Sequence, residues 1–369
     1  MNRTKRLDIV WDRYSQFSIK ESAREKRGKS TRKRVDGSAK VPGEWHDFLL
    51  NPDNKNELFR FLSNMLSSEK IAEDKAVYVT KDEQILNLGN SSRPMDNSNH
   101  EEADTRVLVH LLHSLESCCL GLVQTGDTDV VVILLAHFHT MTVVNPEANI
   151  WVQFKVGKSK KLISIKKVAS NLGLQVCNSL PYFHALTGCD TTSSFKYKGK
   201  RSCWKLLQED QTFVEGFASI MQHPFVALPV VTDTAKAFIC RLYQGDAKGT
   251  DLDLVRMNTF CHKTRDIERI PPTSNAFEQH LKRCIFQGSI WALANLTKLP
   301  TENPLDHGWI INDGKLKPIW TTIPLTKDVF QLDVKCSCKN YEAQGRCKCR
   351  RAKLKCSRLC KCTCVETKL

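Results

Sequence analysis

The six-residue run Val130–Leu135, inside the stretch GDTDVVVILLA, constrains the fold more than any other part of the chain. Three valines, an isoleucine and two leucines follow one another without a polar residue, so no face of the segment suits water. β-Branched side chains favour extended backbone. A short apolar run bounded by turn residues therefore predicts a strand over 130–135, buried on both faces. Strands of that kind belong to parallel sheets covered by helices on each side.

The rest of the chain is consistent with that layer. RLDIVW (6–11), KAVYVT (75–80) and QILNLG (84–89) read as short strands, and NIWVQFKVG with KLISI as a hairpin. Leu58, Phe59, Leu62, Met65 and Leu66 recur at helical spacing, as do the apolar positions of HEEADTRVLVHLLHSL (100–115). IKKVASNLGL reads as a short helix, and LPYFHALTGCDTT as a helix or turn leading into a polar loop. From Trp204 the pattern is helical, and 298–334 is a Pro-rich, irregular connector. The expected fold class is α/β with a largely parallel sheet and helices on both faces, then a helical region and a small cysteine-rich tail. The expected domains are 1–208, a helical extension 209–297, the connector 298–334 and a cysteine module 335–364.

Charge and cysteine are concentrated at the ends. The formal charge of +15 resolves into +8 for residues 1–40, +9 for 335–369 and −2 for the middle. Basic ends on a neutral body fit a polyanion, because Lys and Arg displace the counterions condensed on nucleic acid; solvated tails are the plainer alternative. Eight of the sixteen cysteines lie in the last 34 residues: Cys336, Cys338, Cys347, Cys349, Cys356, Cys360, Cys362 and Cys364. That tail has too little apolar material for a core, so thiolate-bound zinc is the expected source of its folding energy. Eight thiolates match two four-sulfur zinc sites or most of a shared cluster. Interleaved Arg346, Lys348, Arg350, Arg351, Lys353, Lys355, Arg358 and Lys361 suit phosphates, with a protein contact or a disordered basic tail as the other readings. No run of about 20 apolar residues spans a membrane. The N-terminus lacks the features of a signal peptide, and RGKSTRKR fits a nuclear localisation signal, so an intracellular, nuclear protein is expected.

Acidic residues recur at element ends: Asp12 after the first strand, Glu102 and Asp104 opening a helix beside Glu101, Asp127 and Asp129 before the apolar run, and Asp190 in TGCDTTSSF. Each alone fits a helix-dipole partner or a turn residue. Gathered along one sheet edge they would repel unless cations neutralised them. Oxygen ligands favour Mg²⁺ or Mn²⁺, and paired ions can activate water at a phosphodiester. His110, His113, His137, His139 and His184 invite a metal or acid–base reading, but packing or capping is the plainer role for His110 and His113.

The order of these motifs resembles the flap-endonuclease/XPG branch of PIN-like nucleases. DIVWD…SIKESAREKR, then EEAD, then GDTD, then GCDTT before a Lys/Gly loop follow that family's sequence over about residues 7–208. The resemblance implies a structure-selective, Mg- or Mn-dependent nuclease with Asp12, Glu102, Asp104, Asp127, Asp129 and Asp190 as metal-coordinating acids. It implies that Lys20, Arg24 and Arg27 steer the scissile phosphate, and that Lys198, Gly199, Lys200 and Arg201 grip duplex DNA. The family's earlier strand, with a further Asp, has no counterpart before Arg6, and Tyr197 stands where a first loop glycine is expected. A catalytically inactive DNA- or chromatin-binding protein is the alternative. The cysteine tail resembles the tesmin-type CXC module, without its ninth cysteine near residues 341–342, which favours two zinc ions over three. VWDRY, KESAREKRGK, HEEADTR, DTDVVVIL, FHALTGCDTTSSF and IERIPPT together are similar to animal proteins of mobile-element ancestry that join such a domain to such a tail.

Overall fold

A computed structural model of the chain describes residues 4–14, 18–20, 30–89, 93–154, 157, 160–245, 249–264, 266–323, 347–351, 356 and 360. The fold is α/β, with three small sheets among the described residues. In the first, β1 (Arg6–Ile9) runs parallel to β2 (Ala76–Lys81), and β2 runs antiparallel to β3 (Gln84–Gly89). In the second, β4 (Leu120–Thr125) runs parallel to β5 (Asn149–Phe154), and β5 runs antiparallel to β6 (Lys161–Ser164). β7 (Trp309–Asn312) and β8 (Lys315–Pro318) form a separate hairpin. The single, largely parallel sheet of the sequence expectation is thus replaced by small mixed sheets. Each three-stranded sheet has one parallel pair and one hairpin, and no described ladder joins β1 to β4.

The helices are α1 (Trp45–Leu50), α2 (Pro52–Ser67), α3 (Ala103–Leu115), α4 (Thr128–Ala136), α5 (Phe138–Val144), α6 (Ile165–Leu172) and α7 (Leu174–Leu186). They continue as α8 (Lys200–Glu209), α9 (Gln211–Ala218), α10 (Pro229–Tyr243), α11 (Leu252–His262), α12 (Ser274–Ala292) and the short α13 (Lys348–Arg351).

The run that opened the sequence reading is the principal correction. Residues 130–135 lie in helix α4, and the strand is the preceding Leu120–Thr125. Asp127 caps the helix, its Oδ1 accepting from the Asp129 N–H at 2.9 Å. Three valines in a helix cost a few tenths of a kcal/mol each relative to alanine. Burial of a Val, Ile or Leu side chain returns about 1.5–3 kcal/mol. Val130, Ile133, Leu134 and Leu135 are all buried. Helix α4 is enclosed by α3, α6, α7 and α12, so burial decides over propensity.

One continuous apolar cluster runs from Leu108 to Ala294, with Tyr182, Phe217, Phe238, Phe277 and Trp291 among its largest members. Helices α9 and α12 pack directly on α7, so this core crosses residue 208 without a break. A second cluster joins Ile19, Phe286, Trp309 and Leu316. The expected irregular connector therefore contains the β7–β8 hairpin, whose Trp309 and Leu316 bury the residue beside Lys20; residues 324–334 lie outside the described residues. Among the described part of the basic segment, 18–20 form a turn and 30–36 are coil.

Candidate metal centre

Helix α3 brings the acidic ends together. It lies antiparallel to β1, because Asp8 on the strand meets His110 Nδ1 at 2.8 Å while Asp12 Oδ1 accepts from the Ala103 N–H at 2.9 Å. Arg106 clamps the same helix to the β2–β3 turn, donating to the carbonyls of Glu83 and Gln84 at 3.0 and 3.1 Å. On the other side, Leu111 of α3 packs over Gly121 of β4, where an added Cβ would lie 2.9 Å from Leu111 Cδ1. β4 then ends just before Asp127. The starts of α3 and α4 thus lie at the same end of the fold as the C-terminal ends of β1 and β4, the end where groups from separate βα units meet.

Asp104, Asp127 and Asp129 converge there, each offering a carboxylate oxygen within 4.8 Å of the others. At that spacing two carboxylates repel by about 3–4 kcal/mol at an effective dielectric near 20. Two groups answer part of the repulsion. The Lys20 ammonium lies 2.8 Å from Glu102 Oε2 and 3.7 Å from Asp104 Oδ2. His184, in the last turn of α7, places Nε2 at 2.9 Å from Asp129 Oδ1.

The remaining imbalance appears in the acidities. Burial pushes Glu102 up to about 7 against the pull of Lys20, with Glu101 and Asp12 adding to the rise. Burial pushes Asp104 up to about 8, again against Lys20 and with Glu102, Asp127 and Asp12 adding. Asp127 is raised by burial and by the charges of Asp129 and Asp190. Asp129 goes the other way: burial raises it, but His184, Lys20 and Lys200 together hold it below the usual carboxylate range. Burial works against the charge on Lys20, yet Glu102 and Asp104 hold it above the ordinary lysine range. An all-oxygen donor set with more negative charge than its own cations neutralise fits a hard divalent ion, Mg²⁺ or Mn²⁺.

The other expected acids lie at the rim. Both oxygens of Asp12 are engaged, one by Ala103 N–H and the other by the Tyr14 hydroxyl at 3.1 Å. Asp190 is exposed, near enough to raise Asp127 but outside the triad. The turn before Asp190 requires Gly188, at φ +108°, where a Cβ would lie 2.8 Å from Ser194 Cα.

In the basic loop, Gly199 caps α8 with extended backbone. Lys198 lies over the Tyr243 ring, 5.1 Å from its centroid, and Arg201 is exposed. Lys200 is an exposed residue whose ammonium turns toward the end of α7, donating to the His184 carbonyl at 2.9 Å and to Thr187 Oγ1 at 2.8 Å. Arg24 and Arg27 lie outside the described residues.

The sequence alone marks His184 as one of five histidines that invite a metal or acid–base role and gives it no partner. A single histidine in the apolar stretch LPYFHAL was the available signal, and it does not reveal a partner 55 residues away. His110 and His137 are buried and bond across the fold, to Asp8 and to the Trp291 carbonyl.

In the tail, Cys347, Cys349 and Cys356 place their sulfurs within 4.8 Å of one another. The Cys347–Cys356 and Cys349–Cys360 sulfur separations are 3.7 and 3.4 Å. A tetrahedral site with zinc–sulfur bonds of about 2.3 Å spaces its sulfurs by about 3.8 Å, so Cys347, Cys349 and Cys356, with Cys360 beside Cys349, form a cluster that could bind a metal ion. Cys336, Cys338, Cys362 and Cys364 lie outside the described residues. No described helix is long and apolar enough to cross a membrane. Comparison of the chain with protein-family models, with curated proteins and with solved structures found no match.

Proposed function

We propose that the chain is a divalent-metal-dependent nuclease acting on DNA, built on a PIN-like, flap-endonuclease-type domain and tethered to its substrate by a zinc-bound tail. The observation that carries the reading is the convergence of Asp104, Asp127 and Asp129 beside the Lys20–Glu102 pair. The order of parts also supports it: Asp12 after β1, Glu102 and Asp104 at the start of α3, Asp127 and Asp129 after β4, and Asp190 after α7.

In this reading Asp104, Asp127 and Asp129 hold Mg²⁺ or Mn²⁺. The ion supplies Lewis acidity and a more acidic bound water. His184 fixes one oxygen of Asp129, leaving the other to ligate. Glu102, held by the Lys20 ammonium at 2.8 Å, lies beside the triad, where its carboxylate can take up a proton. Lys20 offers its ammonium to a phosphate oxygen. The tail binds zinc, two ions being the number its eight cysteines suit, with Cys347, Cys349, Cys356 and Cys360 among the ligands, and its interleaved Arg and Lys suit phosphates. The basic segment RGKSTRKR serves nuclear import.

A non-catalytic DNA-binding protein is the second reading. It is favoured by the engagement of both Asp12 oxygens and by the turn of the Lys200 ammonium toward the end of α7. Incubation of the full chain with flap and plain duplex DNA, with Mg²⁺ or Mn²⁺, separates the two. Cleavage by the wild type that is lost in Asp129→Asn is the expected result. DNA binding without cleavage overturns the nuclease and leaves the binding protein.

A further inference from the structure

We propose that Lys20 is an internal counter-ion competing with the divalent ion for Asp104, so that metal entry is what frees its ammonium for a substrate phosphate. This rests on the reading of Asp104, Asp127 and Asp129 as a metal site.

The geometry makes Asp104 a shared carboxylate. Its Oδ2 lies 3.7 Å from Lys20 Nζ, and an oxygen of the same group lies within 4.8 Å of oxygens of Asp127 and Asp129. An ammonium at that distance from Asp104 and a dication held by the triad would repel strongly in a setting from which water is largely excluded. The Lys20 side chain is only 13% exposed and that of Glu102 only 11%, so solvent does little to screen the contest.

The backbone at Lys20 has little room to retreat. Its neighbour Ile19 is buried among Phe286, Trp309 and Leu316, and Ser18 is buried as well. Movement is therefore left to the four-carbon stem, which carries a compact charge on rotatable bonds. The partners facing the ammonium are Glu102, Asp104 and, further off, Asp129. Occupation of the triad removes the attraction of Asp104 and Asp129 and leaves Glu102 as the main hold. An order of binding follows, with the metal first and the phosphate second. Before the ion arrives, Lys20 also keeps the buried Glu102–Asp104 pair from repelling itself apart, which gives the metal-free protein its own reason to retain the lysine.

The test compares the full chain with its Lys20→Met and Lys20→Arg variants, measuring Mn²⁺ affinity by calorimetry and thermal midpoints with and without Mn²⁺. Lys20→Met is expected to bind Mn²⁺ at least tenfold more tightly than the wild type. It is also expected to melt lower without metal and to gain more from Mn²⁺. Lys20→Arg, which keeps the charge, is expected to match the wild type, a result that a purely structural role of the lysine stem would not produce. Equal or weaker Mn²⁺ binding by a folded Lys20→Met, with the wild type binding normally, overturns this inference alone. Absence of Mn²⁺ binding from the wild type and both variants overturns the metal-site reading beneath it.

Discussion

His184 Nε2 lies 2.9 Å from Asp129 Oδ1, joining the last turn of α7 to the first turn of α4 inside the core. Both groups are almost fully buried, with side-chain exposures of 9% and 8%. Loss of the imidazole would leave the carboxylate buried and without that hydrogen-bond partner, which costs about 1–3 kcal/mol. It would also release the oxygen that His184 fixes, and loss of such a supporting group lowers metal affinity by about 10–100-fold. His184→Leu should therefore lose Mn²⁺ affinity in that range by calorimetry. His184→Gln, which keeps a donor at the same reach, should recover most of it. Equal affinities in both variants would remove His184 from the site.

The sequence made parts of this site legible and hid others for identifiable reasons. The acids could be located because each stands where a periodic or apolar segment begins or ends, and such ends are where separate elements meet. The element carrying Asp129 is a helix where the sequence predicts a strand, because six aliphatic residues in a row have no period and look alike as a strand or as a helix packed among others. The β7–β8 hairpin is hard to read because its strands are only four residues each and the second ends in a proline. The placing of Lys20, His184 and Lys200 depends on contacts across the fold, which no local spacing encodes.

The pH dependence of stability follows from Glu102 and Asp104, raised from 4.5 and 3.8 to about 7 and about 8. Between the unfolded and folded values the native chain holds protons that the unfolded chain has released. Without metal, their contribution to stability is therefore lost as pH rises from about 4 to about 8. Asp129, held low, acts oppositely and contributes stability that is lost only in stronger acid. Thermal midpoints in chelator should fall from about pH 5 to about pH 8, and the rise produced by Mn²⁺ should grow over the same interval as protons give way to the ion. A Mn²⁺ effect independent of pH would contradict these shifts.

Asp104→Asn separates stability from function. The substitution removes a charge that the fold disfavours, so the metal-free variant should be more stable than the wild type at pH 8. Chemical denaturation should show that gain together with the loss of stabilisation by Mn²⁺. A destabilised variant that still responds to Mn²⁺ would place Asp104 outside the metal set.

Zinc content provides a test of the tail independent of the acids. Purified full chain should carry two zinc ions, and Cys349→Ser should lose one of them, read by elemental analysis. Structural zinc supplies about 10–16 kcal/mol of folding energy in small modules, so chelation should expose the tail to protease while leaving the core around Trp291 protected. A chain with no zinc, or a tail indifferent to chelator, would exclude the module.

The most direct measurement is the anomalous diffraction of crystals grown with Mn²⁺. The account predicts a manganese peak bonded to carboxylate oxygens of Asp104, Asp127 and Asp129, with the Lys20 ammonium withdrawn from Asp104 and the Asp129–His184 hydrogen bond intact. Saturating Mn²⁺ with no peak at the triad, and with Lys20 still seated between Glu102 and Asp104, would contradict it.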